Sequence, residues 1–405
     1  MKNNMSKKLN IILVGMFCSA SVMAQTDTLT AHRDNMAVDF GRNIVHDMKE
    51  VTGAVSVVGS GTLSHKRSIN PGNQLFGTLS GLQVLQNSGA AWEDGPTMYI
   101  RGLGTTNSKN PLVLVDGFER SIKELSSEEI ESVSVLKDAV ATSIYGIRGA
   151  NGVILVKTKR GSMTAPQIDF SYDFNVATPN RLPDFADGYT YALALNEALV
   201  NDGSLPRYSA AELDAFKNQT YPLFYPNVDW MDVLLKKGAP TYRATINMNG
   251  GGSLARYYVS ASYVDEGGMY KVDKGLKDYN TNANYRRWNY RLNVDMDITK
   301  TTLLKVGVSG SLDKKNEPGM SSNIWVSAMN YNPVSVPIMY SNGYTPAFGS
   351  DDEQINPWTI ATQTGYQETW NNKLQTNITL EQDFSFITKG LKFIGRYGFD
   401  TNNYQ

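Results

Sequence analysis

From Gln167 to Val176, apolar and polar positions alternate without a break. Ile168, Phe170, Tyr172, Phe174 and Val176 share one face, and Asp169, Ser171, Asp173 and Asn175 share the other. A period of two marks a strand with one apolar and one polar side. The same period recurs in Thr241–Met248 (Tyr242, Ala244, Ile246, Met248) and in Leu254–Val264 (Tyr257, Val259, Ala261, Tyr263). Asn249-Gly250-Gly251-Gly252-Ser253 lies between these two as a hairpin turn. Asn284–Ile298 continues it with Trp288, Tyr290, Leu292, Val294 and Met296, and Leu304–Leu312 with Leu304, Val306 and Val308. Leu374–Phe386 and, less cleanly, Leu391–Phe399 complete the series. The pattern predicts about seven strands over residues 166–405. Soluble sheets with one wet face alternate in the same way. Two features favour outer-membrane strands: lengths above the usual ~5–6 residues, and Trp288, Tyr290, Trp325, Trp358 and Trp370 near strand ends and connections.

Residues 182–239 interrupt the alternation. Tyr189–Val200 has a helical pattern, Ser209 with Glu212 opens a second helix as a capping box, and Trp230–Leu235 follows. A structured excursion of this length between two such strands belongs outside the membrane, as a functional loop or as a buttress. Residues 51–165 read differently, as a compact α+β unit. Its short apolar strands are Thr97–Arg101, Leu112–Val115, Val133–Leu136 and Val153–Val156. Ser126 and Glu129 have the spacing of a capping box, Asp138 can cap a helix Ala139–Tyr145, and Gly146 stands where that helix would end. Asp116-Gly117 is a turn signal, and Arg148-Gly149-Ala150-Asn151-Gly152 is a tight turn into a buried strand.

Composition narrows the function classes. Lys+Arg 38 against Asp+Glu 39 leaves a net charge of −1, which excludes a basic nucleic-acid-binding chain. Lys2, Lys7 and Lys8, an apolar run Leu9–Cys18 and Val22-Met23-Ala24 have the form of a secretory leader over residues 1–24. The run is too short for the ~20 residues of a spanning helix. Cys18, the one cysteine, would leave with the leader, so an exported chain would carry no disulfide. Residues 25–50 are polar and read as a flexible arm. His32, His46 and His65 are too dispersed for a metal site. No Ser/His/Asp or Cys/His arrangement and no Walker motif is present, and Gly102-Leu103-Gly104 lacks the third glycine of a dinucleotide loop. No catalytic residue, metal or cofactor is expected.

The stretch Gly77–Gly161 resembles the plug of SusC/RagA-type TonB-dependent outer-membrane transporters of Bacteroidetes. The matching segments are Gly81-Leu82-Gln83-Val84, Tyr99-Ile100-Arg101-Gly102, Leu114-Val115-Asp116-Gly117, Ile130 through Lys137-Asp138, and Ile144-Tyr145-Gly146-Ile147-Arg148-Gly149-Ala150-Asn151-Gly152-Val153-Ile154. Asn227 to Trp230, Gly250-Gly251-Gly252 and Arg256-Tyr257-Tyr258 extend the likeness into the strands.

The resemblance implies an α+β plug inside a 22-stranded antiparallel barrel. It implies import of a glycan or peptide oligomer across the outer membrane, driven by TonB with ExbB–ExbD and assisted by a SusD-like surface lipoprotein. TonB would add a strand to an N-terminal box. The counterpart here is Ala37-Val38-Asp39-Phe40-Gly41, where Asp39 departs from the family's glycine. Only about 13 residues separate Gln25 from Val38, too few for the β-sandwich many members carry there. Arg101, Asp116, Lys137, Asp138 and Arg148 are the charged groups from which plug-to-wall ion pairs are expected. About seven strands fall short of a closed barrel, so the sequence reads as the front of a longer protein or as a fragment. Rival readings are an iron-chelate receptor of the same architecture and a secreted β-rich binding protein.

Overall fold

The computed structural model describes residues 37–41, 44–66, 68–91, 93–276, 278–320, 324–346 and 355–405. The expected leader, the first part of the arm and the histidine at position 32 lie outside these residues.

A small hairpin comes first, β1 (Ala37–Asp39) antiparallel to β2 (Val45–Asp47). The α+β unit begins at β3 (Val55–Gly59) and passes helices α1 (Ser60–Ser64) and α2 (Pro71–Gln74). A hairpin of β4 (Leu82–Leu85) and β5 (Thr97–Ile100) follows. The chain then runs through β6 (Leu112–Val115), β7 (Phe118–Glu119), β8 (Ile130–Leu136), helix α3 (Ala139–Thr142) and β9 (Val153–Thr158). The main sheet has the order β3-β8-β9-β6-β7, antiparallel except for β6 with β9. Val133, Val135, Val153, Ile154 and Val156 are buried, as near-continuous apolar runs in a two-sided sheet should be. One side packs on Leu63, Leu75, Ile122 and Leu125; the other packs Leu112, Leu114 and Leu155 with Tyr145 and Phe40.

Asp116 and Gly117 both have positive φ, 50° and 89°, and join β6 to β7 in a two-residue turn. That is the left-handed pair a type I′ hairpin requires. Two local expectations fail. Ser126 precedes a three-residue 3-10 turn, Ser127–Glu129, without any side-chain cap, because the Glu129 carboxylate is engaged elsewhere. The helix opened by Asp138 stops at Thr142 and continues as a 3-10 segment to Gly149, and Gly146 (φ 57°) sits at a kink inside that segment rather than ending it.

After β10 (Gln167–Ala177) come α4 (Gly188–Asn201), α5 (Ala210–Asn218) and α6 (Trp230–Leu234), then β11 (Ala239–Gly251), β12 (Ala255–Glu266), β13 (Asn284–Asp297) and β14 (Thr302–Pro318). Helices α7 (Ile324–Asn330) and α8 (Pro357–Thr362) separate β14 from β15 (Tyr366–Asp383), and β16 (Lys392–Tyr404) closes the described chain. β10 to β16 form one antiparallel meander in sequence order, with β10 and β16 as its edges. Each of the seven alternating segments is a strand of this open sheet. The connections 252–254, 298–301 and 384–391 lie at one end, while 178–238, 267–283 and 319–365 lie at the other.

The two longest connections share a core. Trp230, Met231 and Leu234 of α6 pack with Ile324, Tyr331, Ile360 and Ala361, and the Trp230 and Tyr331 rings meet edge to face at 5.5 Å. The helices there begin on side-chain caps: Asp187 accepts from Thr190, Asp229 from Met231 and Asp232, and Ser209 and Glu212 form the expected capping box. Only the second of the two predicted boxes therefore stabilises a helix. Ser209→Ala should destabilise α5 by about 1 kcal/mol, whereas Ser126→Ala should have no helix-cap effect. Local amide-exchange rates in the two segments measure this.

Candidate functional site

The polar face of the sheet meets the α+β unit, and β13 carries the densest set of contacts. Its inward residues Arg287, Asn289, Arg291, Asn293 and Asp295 are all buried. Each grips a successive point of the unit. Arg287 donates to the Lys123 carbonyl and Asn289 to the Glu124 carbonyl at 2.8 Å. Arg291 Nε donates to Glu129 at 2.8 Å, with Asp116 3.9 Å from its Nη1. Asn293 donates to Thr158 Oγ1 at 3.1 Å and to the Lys159 carbonyl at 2.7 Å, and Asp295 accepts from Arg160 Nε at 2.9 Å. A period of two places every second side chain of one strand on the unit.

Neighbouring strands add to the interface. Lys373 Nζ and Gln375 Nε2 of β15 converge on Glu124 at 2.6 and 2.7 Å. Arg120 makes a two-pronged contact with Asp400 of β16, at 2.9 and 2.5 Å, and its guanidinium lies 5.1 Å from the Phe118 ring. Gly398 provides the notch for that ring: a Cβ there would lie 2.5 Å from Phe118. The Arg291–Glu129 pair is the most deeply buried, with side-chain exposures of 3% and 2%.

Among the described residues, Asp116 is the one of the five charged residues expected to face the wall that approaches these seven strands, and its main role is local. Its carboxylate accepts from the Thr158 N–H at 3.0 Å and from Thr158 Oγ1 at 2.7 Å. Arg148 pairs with Glu119 within the unit. Lys137 donates to Ser56 Oγ at 2.6 Å and to the Ser80 carbonyl at 3.0 Å; burial, and then the charge of Arg101, hold its ammonium below the usual range. Asp138 accepts from the N–H groups of Ala141 at 2.8 Å and Ala54 at 2.6 Å, and these two bonds hold its carboxyl below the usual carboxylate range. Arg101 adopts φ 58° beside Gly102 at 89°, and its N–H reaches the Gly81 carbonyl. Asn151 ties the loop at Ser108 and Asn110, and Gly152 (φ 85°) leaves no room for a Cβ against Ile100. Gly149 packs on Thr142.

The wall contacts fall instead on Arg120, Glu124, Glu129 and Arg160. One signal for them existed in the sequence. Arginines at 287 and 291 on the polar face of an alternating strand require anionic partners once buried.

The segment Ala37–Gly41 is not extended free chain. It forms β1, with Val38 fully buried. The Asp39 carboxylate accepts from the Gly41 N–H at 2.7 Å, and the Tyr145 hydroxyl donates to the Phe40 carbonyl at 2.5 Å. Gly41 has φ 77°, and a Cβ there would collide with the Tyr145 hydroxyl. Asp39, the departure from the glycine pattern, thus stabilises the turn after β1.

An α+β unit bound to the polar side of an antiparallel meander, whose other side is apolar, has the arrangement of a plug against a barrel wall. The TonB-dependent Receptor Plug Domain family matches residues 47–153. TonB-dependent receptor P3 of Formosa agariphila is 28% identical over 372 residues, 88% of this chain and 33% of that protein. TonB-dependent receptor SusC of Bacteroides thetaiotaomicron is 29% identical over 271 residues, 64% and 24% respectively. The RagAB peptide importer in its open-open state superimposes with a TM-score of 0.70 at 24% identity, over 91% of this chain and 42% of that one. The chain spans a quarter to a third of the length of these curated relatives. Residues 47–153 thus carry a TonB-dependent receptor plug domain, and the chain is similar over most of its length to SusC/RagA-like TonB-dependent receptors.

Arg291→Met should leave Glu129 charged and buried, and destabilise the seated unit by about 3–5 kcal/mol. The double variant Arg291→Met/Glu129→Gln should recover much of that loss, and a double-mutant cycle from denaturant unfolding measures the coupling. For Asp138, the depressed value means stability that is present above the ordinary carboxylate range and lost as pH falls through the folded value. Asp138→Ala should therefore open the 138–142 turn at neutral pH by about 1 kcal/mol, and the difference from wild type should vanish in acid. Amide exchange at Ala141 across pH reads both.

Proposed function

We propose that this chain contributes the plug and adjoining wall strands of an outer-membrane importer that takes up a nutrient oligomer, a glycan or a peptide. The observation that carries this reading is the pairing of a buried charged interface on one face of the sheet with an apolar band on the other. Leu374, Ile378 and Leu380 face outward on β15, and Tyr290 and Leu292 on β13. From Trp370 to Leu380 the strand rises ~33 Å. At a tilt of about 40° this spans the ~25 Å apolar band of an outer-membrane barrel. The long helical connections then lie outside, where a SusD-like lipoprotein would sit over them. The short turns face the periplasm, where TonB would act with ExbB–ExbD. The box-like residues Ala37 to Gly41 are the element that TonB would take as an added strand, after release from β2 and Tyr145.

Removal from membranes by detergent but not by salt is expected. Leu292→Arg, at mid-band, should cost about 2–4 kcal/mol if that face meets lipid, and close to nothing if it meets water. Recovery of the folded protein in the outer-membrane fraction distinguishes these. Uptake of labelled oligomers should require TonB and fail when Val38–Phe40 are deleted. Growth restored by iron chelates and not by oligomers would overturn the substrate class while leaving the architecture standing.

A further inference from the structure

One register row crosses the outward face of the sheet near its long-connection end: Phe174, Tyr242, Asp265, Arg286, Lys314 and Trp370. The aromatic members and the row beneath them fix its level. The Phe174 and Tyr242 rings lie 5.3 Å apart, and one row below, Tyr263 and Trp288 lie 5.2 Å apart. Such a belt marks the border between hydrocarbon and headgroups. Two cations, Arg286 and Lys314, stand directly opposite each other in this row on adjacent strands. Like charges in that position repel. Each has one carboxylate at its outer flank. Asp265 accepts from Arg286 Nε at 3.2 Å, and Glu368 pairs with Lys314 Nζ at 2.9 Å. Lys314 also rests 4.6 Å over the Trp370 ring, whose Nε1 donates to Glu368. The flanking groups orient both cations, and the Lys314 side chain keeps 26% of its surface exposed. The Arg286 side chain is 44% exposed, and among the described residues its Nη groups donate no hydrogen bond.

We propose that Arg286 and Lys314 together bind the phosphate of a lipid headgroup in the outer leaflet. A guanidinium offers a planar fork to phosphate oxygens, and the neighbouring ammonium adds a point charge. The belt places both at headgroup depth, where basic groups on membrane proteins recruit anionic lipids. The site rests on the membrane reading above, and it assigns the wall a specific lipid.

The test uses protein extracted from its own membrane in mild detergent and examined by native mass spectrometry. Three probes are added separately: a diphosphorylated glycolipid, the same lipid with its phosphates removed, and inorganic phosphate. The wild type should retain one phosphorylated lipid, prefer it over the dephosphorylated form by about tenfold or more, and not release it to inorganic phosphate. Arg286→Gln/Lys314→Gln should lose that preference. Arg286→Lys/Lys314→Arg, which keeps both charges, should keep part of it, and Lys392→Gln at the opposite end should be silent. Equal retention by wild type and the double glutamine variant overturns the site, as does displacement by inorganic phosphate. Release of the chain from membranes by salt alone overturns the membrane reading itself, a distinct failure.

Discussion

The charged side chains on the polar face of the wall must find partners once buried, because the strand that carries them also presents an apolar face outward. The α+β unit supplies those partners. Arg291 is the clearest case. Its guanidinium is buried on a strand whose next residue, Leu292, faces away, so the charge cannot reach water by the outer route. Glu129 and Asp116 compensate it from the opposite side. Burial of such a pair contributes little net stability by itself, but losing either partner is costly. The contact therefore specifies where the unit sits more than how tightly it is held.

The ladder on β13 extends this logic along the whole depth of the interface. Arg287, Asn289, Arg291, Asn293 and Asp295 each reach backbone or side-chain atoms of the 120–160 region. Several of these contacts are to carbonyls, at Lys123, Glu124 and Lys159. Such contacts constrain the backbone path of the unit and tolerate change in its side chains. The interface is mostly polar, and among the described residues the hydroxyls of Ser260, Thr245 and Ser311 are buried there without protein hydrogen-bond partners. Polar interfaces hold position through many modest terms, whereas an apolar core would hold through area. A unit held this way can be repositioned without first dissolving a hydrophobic core.

The wall was legible in the sequence because a period of two is set by local geometry and repeats over ten or more residues. All seven segments read as alternating are strands, from Gln167–Ala177 to Lys392–Tyr404. The capped helices of the excursion were legible for the same reason: Ser209 and Glu212 depend only on each other. The failures involve residues whose partners lie far along the chain. Ser126 and Glu129 have the same spacing, yet Arg291, 162 residues away, takes the carboxylate. Arg101, Lys137, Asp138 and Arg148 lie in the segments that match the family, and their described bonds stay within the unit, several of them across 20 or more residues. The residues that meet the wall, Arg120, Glu124, Glu129 and Arg160, carry no local pattern of their own. Only the alternating arginines of β13 hinted that partners were needed. The helices at Ile324–Asn330 and Pro357–Thr362 left no periodic signature, being short and held chiefly by the core they share with Trp230 and Leu234.

The N-terminal segment shows how one residue can answer to two demands. A strand-accepting box needs an accessible backbone edge, and affinity there comes mostly from main-chain bonds. Here β1 already spends one edge on β2, and Tyr145 takes the Phe40 carbonyl. Asp39 in place of glycine reinforces this closed form by accepting from the Gly41 N–H. A partner strand must therefore compete with β2 and Tyr145 or add to the remaining edge. On the proposed role of this segment as a TonB box, the departure from the glycine pattern would favour the docked over the released segment. It would leave a backbone contact to an added strand intact, since such contacts tolerate side-chain change.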